Sequence, residues 1–160
     1  MKALRFENLA DRPDAVPLIA KWYFGEWGHL NPAATLEKIA GRLFASMNRD
    51  TVPLVVLAVM GDEVIGSAEL KYREMKIYPE KEHWLGGVFV VPEHRDKGVA
   101  ARLIDAVVET ARILGVDLLH IQTERLDGGL YLKLGWERTE QVCYRGLEVL
   151  VMQRKLCPPV

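Results

Sequence analysis

The sequence predicts an α/β protein in which one mixed sheet carries helices on both faces. Strand-like and helix-like segments follow one another in the order β-α-α-β-β-β-α-β-α-β-β, a pattern that places helices against a shared sheet. The 160 residues correspond to one domain of ordinary size, with 49% hydrophobic and 27% charged residues. No repeat, low-complexity tract or linker interrupts the chain, so residues 1–160 are predicted to form a single domain.

The first half of the chain predicts a strand, two helices and a hairpin. Ala3–Leu9 has strand character, and a helix is expected from Pro13. Asn31-Pro32 is expected to supply the cap and first turn of a second helix. The apolar residues of that second helix follow the spacing of one buried face, and they are Leu36, Ile39, Leu43, Phe44 and Met47. Two strands should follow as a hairpin closed by Gly61-Asp62, with bounds Leu54–Met60 and Val64–Tyr72.

The second half begins with a polar loop and continues with strands and helices. The predicted elements are the loop Arg73–His83, the strand Trp84–Val91, the helix Lys97–Leu114 ended by Gly115, the strand Asp117–Thr123, a short helix with Tyr131 after Gly128-Gly129, and the closing hairpin of Thr139–Cys143 and Glu148–Lys155.

The stretch from Val88 to Leu103 predicts a buried strand, a short turn and the start of a long helix. The start of a helix has unpaired N–H groups and the positive end of the helix dipole, which together favour an anion. Gly98 allows close approach of a ligand, and Ala100 and Ala101 leave it room. The pattern indicates a pyrophosphate site, although a strand–loop–helix with one glycine is also common without a ligand. It matches neither the dinucleotide fingerprint nor the phosphate loop of nucleoside-triphosphate enzymes.

Two motifs in this order resemble those of the GNAT family of N-acetyltransferases. Val-x-x-x-Pro followed by Arg-x-x-Gly-x-Ala, over Val88–Ala100, resembles the family's acetyl-coenzyme A loop. Leu130–Trp136 resembles the family's Leu-Tyr-x-x-x-Gly-Phe, with Trp136 in the position of the Phe. The resemblance implies the GNAT fold, a mostly antiparallel central sheet flanked by helices, and transfer of an acetyl group from acetyl-coenzyme A to an amine.

The resemblance also implies roles for individual residues. The backbone of Val88, Phe89 and Val90 would pair with the pantetheine arm, and a backbone N–H there would face the developing oxyanion. Tyr131 would protonate the leaving thiolate, and an ordinary phenol pKa near ~10 would suit a thiolate of pKa near ~8.5. The pyrophosphate loop would consist of Arg95, Asp96, Lys97, Gly98, Val99, Ala100 and Ala101.

Two departures from the family pattern concern cofactor contacts. Asp96 stands where the family often has Gly, and we expect its carboxylate to point to solvent. The family often has an Asn shortly before the Tyr, whereas residues 124–129 of this chain contain none. A contact there would come from Asp127 or the backbone, or be missing.

The general base and the acceptor pocket have weaker signals. Glu69 is the predicted base, with Glu74 and His83 as alternatives, and each also fits an ordinary solvated or strand-end polar group. Glu26 and Trp27 are the predicted acceptor residues, because a carboxylate beside aromatic rings would attract a cationic amine. The alternative is that Trp27 and Trp22 only pack the first two helices together.

Composition and residue spacing argue against several other functions. A net charge of −1 does not favour nucleic acid, and apolar runs such as Pro53–Met60 are too short to cross a membrane. The charged first twenty residues show no signal peptide, and Cys143 and Cys157 are widely spaced, which favours a reduced, cytoplasmic setting. No histidine has metal-ligand spacing and no serine lies in a Gly-x-Ser-x-Gly turn, so neither a metal site nor a serine hydrolase is predicted.

The predicted partner is therefore a small-molecule or peptide amine, with acetyl-coenzyme A as cosubstrate. The sequence leaves open whether the chain forms a homodimer. The alternative function is a sensor or scaffold that keeps the fold, binds an acyl-coenzyme A and performs no chemistry.

Overall fold

A computed structural model describes residues 2–158, which contain seven strands and four α-helices. The strands are β1 (Leu4–Asn8), β2 (Leu54–Met60), β3 (Glu63–Tyr72), β4 (His83–Val90), β5 (Leu118–Thr123), β6 (Glu137–Tyr144) and β7 (Leu147–Lys155). The helices are α1 (Val16–Trp27), α2 (Leu36–Phe44), α3 (Val99–Ile113) and α4 (Gly129–Lys133).

All seven strands belong to one sheet with the order β1-β2-β3-β4-β5-β7-β6. Every neighbouring pair is antiparallel except β4 and β5, which run parallel and are paired only at Trp84 and His120. The two central strands therefore part after a single point of contact. Their divergence leaves an unpaired strand edge in the middle of the sheet rather than at its border.

Helices cover both faces of the sheet, as predicted. Successive side chains of β2 point to opposite faces of the sheet, and nearly all of them are buried, so both faces of the strand must be covered. Val55, Leu57 and Val59 pack in the cluster that contains α1 and Leu43 of α2. Leu54, Val56 and Ala58 pack in the larger cluster that contains α3. A strand buried on both faces requires an apolar residue at every position, and β2 has one.

The element order and fold class were predicted correctly, whereas the start of the second helix was wrong. Asn31-Pro32 does not cap α2. Asn31 closes a local turn, in which its side chain accepts the N–H of Ala33 at 3.0 Å. The cap is Thr35, whose extended backbone lets its hydroxyl accept the N–H of Lys38 at 3.1 Å. Among residues 2–158, no helix is long and apolar enough to cross a membrane.

Candidate active site

The unpaired edge of β4 is the central feature of the site. Val91 donates its N–H to the carbonyl of Ile65 at 2.9 Å, and two residues back Phe89 lies opposite Ser67. Backbone groups of an antiparallel strand alternate in direction, so those of Val88 and Val90 point away from β3, toward the gap left by β5. Apart from the carbonyl of Val90, which accepts from the side chain of Arg95, these groups are free to pair with an extended chain as an added strand.

A β-bulge interrupts β4 immediately before this edge. The register with β3 shifts between Ser67 and Glu69, so an extra residue of β4 must fit there. Gly87 adopts φ +58°, a conformation that favours glycine. A Cβ on Gly87 would lie 2.4 Å from Oε2 of Glu69 and 2.7 Å from Oη of Tyr23. The bulge therefore requires glycine both for its conformation and for the space that two polar side chains occupy.

Tyr23 holds the bulge from α1. Its hydroxyl donates to the carbonyl of Gly87 at 2.8 Å and lies 3.0 Å from Oγ of Ser67. Tyr23 and Ser67 are buried, and burial raises the pKa of the Tyr23 phenol well above its usual value, with the charge of Glu69 acting in the same direction. The hydroxyl therefore stays protonated and acts as a fixed hydrogen-bond donor.

The loop before α3 has the backbone shape of an anion site. Asp96 and Gly98 adopt φ +61° and +81°, and Gly98 is the N-cap of a 15-residue helix. No side chain of the described residues caps that helix, so its first N–H groups remain available to a ligand. Nothing lies within 4 Å of a Cβ built on Gly98, which leaves the space above the loop open. These features fit a bound pyrophosphate.

The charged side chains of this loop are exposed. Arg95 turns back to β4, where its Nε donates to the carbonyl of Val90 at 2.7 Å and its guanidinium lies over the ring of Phe89. Lys97 donates to the carbonyl of Glu93 at 3.3 Å. Asp96 is exposed, as expected, and Val99 packs in the core beneath the loop.

A cavity of about 690 Å³ opens beside the bulge, between the two diverging strands. Val88, Trp27 and Tyr131 are all among its lining residues. Burial raises the pKa of Tyr131 to about 12, and the charge of Glu74 adds to the effect. The phenol is thus a weaker acid than its ordinary pKa implied, but it stays protonated throughout the neutral range.

Four charged side chains form an alternating chain along one wall of the cavity. Arg42 donates to both oxygens of Glu69, at 2.6 and 3.3 Å. The Nζ of Lys71 lies 3.9 Å from Oε2 of Glu69 and 2.8 Å from Oε1 of Glu74. Glu74 also accepts from Nε2 of Gln122 at 3.1 Å, which ties the chain to β5. Each of these charges therefore has an opposite charge beside it.

The ion pairs determine the protonation of Glu69 and Lys71. Burial alone would raise the pKa of Glu69, but Lys71 and Arg42 outweigh it and the pKa is lowered. Burial alone would lower the pKa of Lys71, but Glu74 and Glu69 outweigh it and the pKa is raised. Glu69 is consequently a poorer proton acceptor than an ordinary glutamate, and both of its oxygens are already bonded.

The sequence profile of the Acetyltransferase (GNAT) family matches residues 14–136. The chain belongs to this family. Membership confirms the resemblance stated above and identifies acetyl-coenzyme A as the cosubstrate. A search of curated proteins found no sequence that matches this GNAT acetyltransferase.

Solved structures share the fold at low sequence identity. An aminoglycoside 6'-acetyltransferase type Ii is 18% identical, with a TM-score of 0.72 over 98% of this chain and 99% of the other. A ribosomal-protein-alanine N-acetyltransferase from Brucella melitensis is 22% identical, with a TM-score of 0.70 over 96% and 99%. An aminoglycoside 6'-N-acetyltransferase complexed with coenzyme A is 15% identical, with a TM-score of 0.72 over 98% and 99%.

The structure brings some predicted residues of this GNAT acetyltransferase together and separates others. Val88, Glu69, Trp27 and Tyr131 meet at the cavity. Glu26 is exposed and does not line the cavity, because the last turn of α1 directs it outward.

The two tryptophans of α1 have different surroundings. Trp22 stacks on Phe89 with ring centroids 5.1 Å apart, whereas Trp27 packs edge-on against Tyr23 and reaches the cavity. Trp22 therefore packs α1 onto β4, and not onto α2 as the packing hypothesis stated, whereas Trp27 packs within α1 and also faces the cavity.

Four polar residues of the site were missed in the sequence. They are Tyr23, Arg42, Lys71 and Gln122, which come from α1, α2, β3 and β5. Arg42 lies between the apolar positions Ile39 and Leu43 of an amphipathic helix. A charged residue in that context usually faces solvent, so the sequence pattern around Arg42 pointed away from a site.

Proposed function

We propose that the protein transfers the acetyl group of acetyl-coenzyme A to a primary amine of a small molecule or peptide by direct attack. One observation carries the proposal: the free edge of β4 runs from the anion loop at one end to the cavity at the other. A cosubstrate held by its pyrophosphate at the loop could lie along this edge and present its thioester to the cavity.

Different segments of the chain bind different parts of the cosubstrate. The loop Arg95–Ala101 holds the pyrophosphate with backbone N–H groups, and Lys97 and Arg95 add positive charge. Val88 and the N–H of Val90 offer free backbone groups to the pantetheine arm. The carbonyl of Val90 already accepts from Arg95, and the backbone groups of Phe89 serve the pairing with β3. The family resemblance suggested all three residues, and the strand alternation favours the outer two.

The chemistry requires one oxyanion donor and one acid. Acetyl-coenzyme A supplies a thioester, whose carbonyl carbon forms a bond to the amine nitrogen as its bond to sulfur breaks. The N–H of Val88 donates to the carbonyl oxygen as negative charge develops there, and Tyr131 protonates the departing sulfur. Preorganised donors of this kind contribute about 3–4 kcal/mol in other acyl-transfer enzymes.

Glu69 has a positioning role in this proposal rather than the role of general base. Its carboxylate is bonded to Arg42 and its pKa is lowered, so it accepts a proton poorly. It also occupies the space behind Gly87 and thereby supports the bulge. The acceptor's ammonium group loses one proton to water at the open mouth of the cavity before its amine attacks. The second proton that the nitrogen sheds on forming the amide also leaves to water, from which Tyr131 regains the proton that it gives to the sulfur.

The first test is binding of the cosubstrate. Acetyl-coenzyme A should raise the melting temperature of the protein, because a ligand that binds only the folded state stabilises it. Gly98→Asp should abolish the rise by placing a negative charge at the phosphate site. Gly98→Asn is the matched control: it carries the same backbone strain without the charge and should keep part of the rise. An equal rise in wild type and Gly98→Asp would contradict the placement of the cofactor.

The second test is turnover, which separates the enzyme from the sensor alternative. Free thiol should appear from acetyl-coenzyme A only when an amine is present. A rise in melting temperature without thiol release from any amine, in a panel of amines, polyamines, aminoglycosides and short peptides, would favour the sensor.

A further inference from the structure

The cavity is the acceptor's part of the site. Its lining includes Leu85–Val88 of β4 but none of the residues from Phe89 to the anion loop. A cosubstrate that follows the free edge from the loop therefore reaches the cavity only with its reactive end. The rest of the cavity is left for the molecule that receives the acetyl group.

The charges in this cavity are already compensated. Arg42, Glu69, Lys71 and Glu74 alternate in sign along the wall, and every consecutive pair lies within 4.0 Å. Glu124, which is exposed at the rim, has no ion-pair partner among the described residues, because the neighbouring Arg125 is paired with Asp127 at 3.1 Å. An ammonium group that enters finds carboxylates whose hydrogen-bonding capacity is largely in use. Along this wall, each further cation on an acceptor would lose water without gaining a free partner.

Apolar side chains face the charged wall from two directions. Trp27 comes from α1, Leu30 from the segment between α1 and α2, and Ile39 from α2. Leu147 and Val149 come from the start of β7, on the other side of the gap. A cavity of about 690 Å³ with walls of this kind can bury an apolar group of substantial size.

We propose that the preferred acceptor is a primary amine on an apolar or aromatic body that carries no second cationic group. The inference rests on the proposed function and narrows its substrate class. The apolar walls bind the body of the acceptor, and its only amine reaches the bulge of β4. Polyamines and aminoglycosides are poor acceptors, because the carboxylates of the charged wall are already paired. The lining carboxylate that has no partner among the described residues, Glu124, is exposed at the rim, where an ion pair contributes little to binding.

The experiment compares amines at saturating acetyl-coenzyme A by thiol release. 2-Phenylethylamine and hexylamine represent the proposed class, and spermidine and kanamycin represent polycations. We expect kcat/KM for 2-phenylethylamine to exceed that for spermidine by at least about ten-fold, the effect of 1.4 kcal/mol of differential binding. Equal or higher kcat/KM for either polycation would overturn the inference. Absence of thiol release with every amine would instead contradict the proposed function.

Two pairs of variants test the walls themselves. Trp27→Ala should raise KM for 2-phenylethylamine several-fold and leave KM for acetyl-coenzyme A unchanged. Phe44→Ala is the matched control, since Phe44 is a 56% exposed aromatic residue of α2 that does not line the cavity. An equal change of KM in both variants would show that Trp27 makes no specific contact and would overturn its part in the inference.

The second pair adds a free carboxylate to the cavity. Leu30→Glu places one at a residue that is 39% exposed, so folding should tolerate it, and Leu30→Gln is its uncharged control. We expect Leu30→Glu, but not Leu30→Gln, to lower KM for spermidine several-fold. If Leu30→Glu leaves KM for spermidine unchanged, a shortage of free carboxylates does not explain why spermidine is a poor acceptor, and the inference fails.

Discussion

The two ends of the proposed site, a cofactor end and an acceptor end, are built in different ways. The cofactor end consists of backbone: the N-terminus of α3, the left-handed Gly98 and the free edge of β4. Its charged side chains, Arg95 and Lys97, are exposed. The acceptor end consists of side chains from α1, α2, β3 and β5 that are bonded to one another around the bulge. A backbone site can be retained with few sequence requirements, whereas each side chain of the acceptor end depends on its neighbours.

Replacement of glycine should affect the two ends unequally. Gly87→Ala combines left-handed strain with contacts of 2.4 and 2.7 Å to Glu69 and Tyr23. We expect it to lower the free energy of unfolding by about 2–5 kcal/mol, the sum of strain and overpacking. Gly98→Ala meets nothing within 4 Å and should cost only the strain, about 1–2 kcal/mol.

Urea unfolding of both variants without ligand measures this difference. On the proposed function, activity should also be lost in Gly87→Ala, because the bulge precedes the edge of β4 that is proposed to hold the thioester. Equal losses of stability would mean that the side chains behind Gly87 move aside easily, and that the acceptor end is less rigid than its contacts indicate.

Tyr131 lies where the two ends meet, and its loss should affect the rate rather than binding. Tyr131→Phe should reduce kcat by roughly 10- to 1000-fold, the range of lost general-acid catalysis, while the affinity for acetyl-coenzyme A stays within a few-fold. Because its pKa is raised to about 12, wild-type activity should show no alkaline decline from this group in ordinary assay conditions. Tyr72→Phe, at an exposed tyrosine outside the site, is the control. Unchanged kcat in Tyr131→Phe would reduce Tyr131 to a packing residue.

Tyr23 tests whether the acceptor end positions the reaction edge. Tyr23→Phe leaves the carbonyl of Gly87 without its side-chain donor, which should cost about 1–3 kcal/mol of stability. We expect kcat to fall more than KM for either substrate changes, since the bulge is misplaced but the binding surfaces remain. Ser67→Ala removes only the other partner of the Tyr23 hydroxyl and should have a smaller effect on both quantities. A purely structural role for Tyr23 would instead lower stability and leave kcat of the folded protein unchanged.

The same contrast explains what could be predicted from the sequence. The cofactor end lies on one continuous segment, from Val88 to Ala101, where a strand, a turn and a helix follow in order. Local patterns therefore predicted its shape, and the elements around it were predicted correctly in type and order. The start of α2 was missed because Asn31-Pro32 and Thr35 are both good local caps, and only packing of the helix decides between them.

The acceptor end could not be predicted in this way. Tyr23, Arg42, Glu69 and Gln122 are brought together by the fold, and none has a distinctive local pattern. Glu69 was recognised as a possible site residue, yet its surroundings depend on Arg42, which lies 27 positions earlier in the chain. The pairing with Lys71 is local, because that residue lies two positions along the same strand. The pairing with Arg42 changes the chemistry of the carboxylate and leaves no trace in the residues beside Glu69.

The point where β4 and β5 pair joins the two arms of the sheet, β1–β4 and β5–β7, and it predicts a pH dependence of stability. His120 is 3% exposed at the only paired position of β4 and β5, beside Trp84, and among the described residues nothing hydrogen-bonds its Nδ1. Burial lowers its pKa to about 4, and Lys81 and His83 act in the same direction against Glu80. The unfolded chain, with an ordinary pKa near 6.5, then binds more protons than the folded protein between these two values.

Stability should therefore fall as the pH is lowered from 6.5 towards 4, and the part due to His120 should be up to about 3 kcal/mol, since each pKa unit corresponds to about 1.4 kcal/mol. Carboxylates also titrate in this range, so the informative quantity is the difference between variants. In urea unfolding at several pH values, His120→Gln should show a shallower loss than wild type, and His29→Gln, at an exposed histidine, should follow wild type. Parallel curves for wild type and His120→Gln would mean that the joint admits the charged imidazole, and that the two arms are held together less tightly there than the burial of His120 indicates.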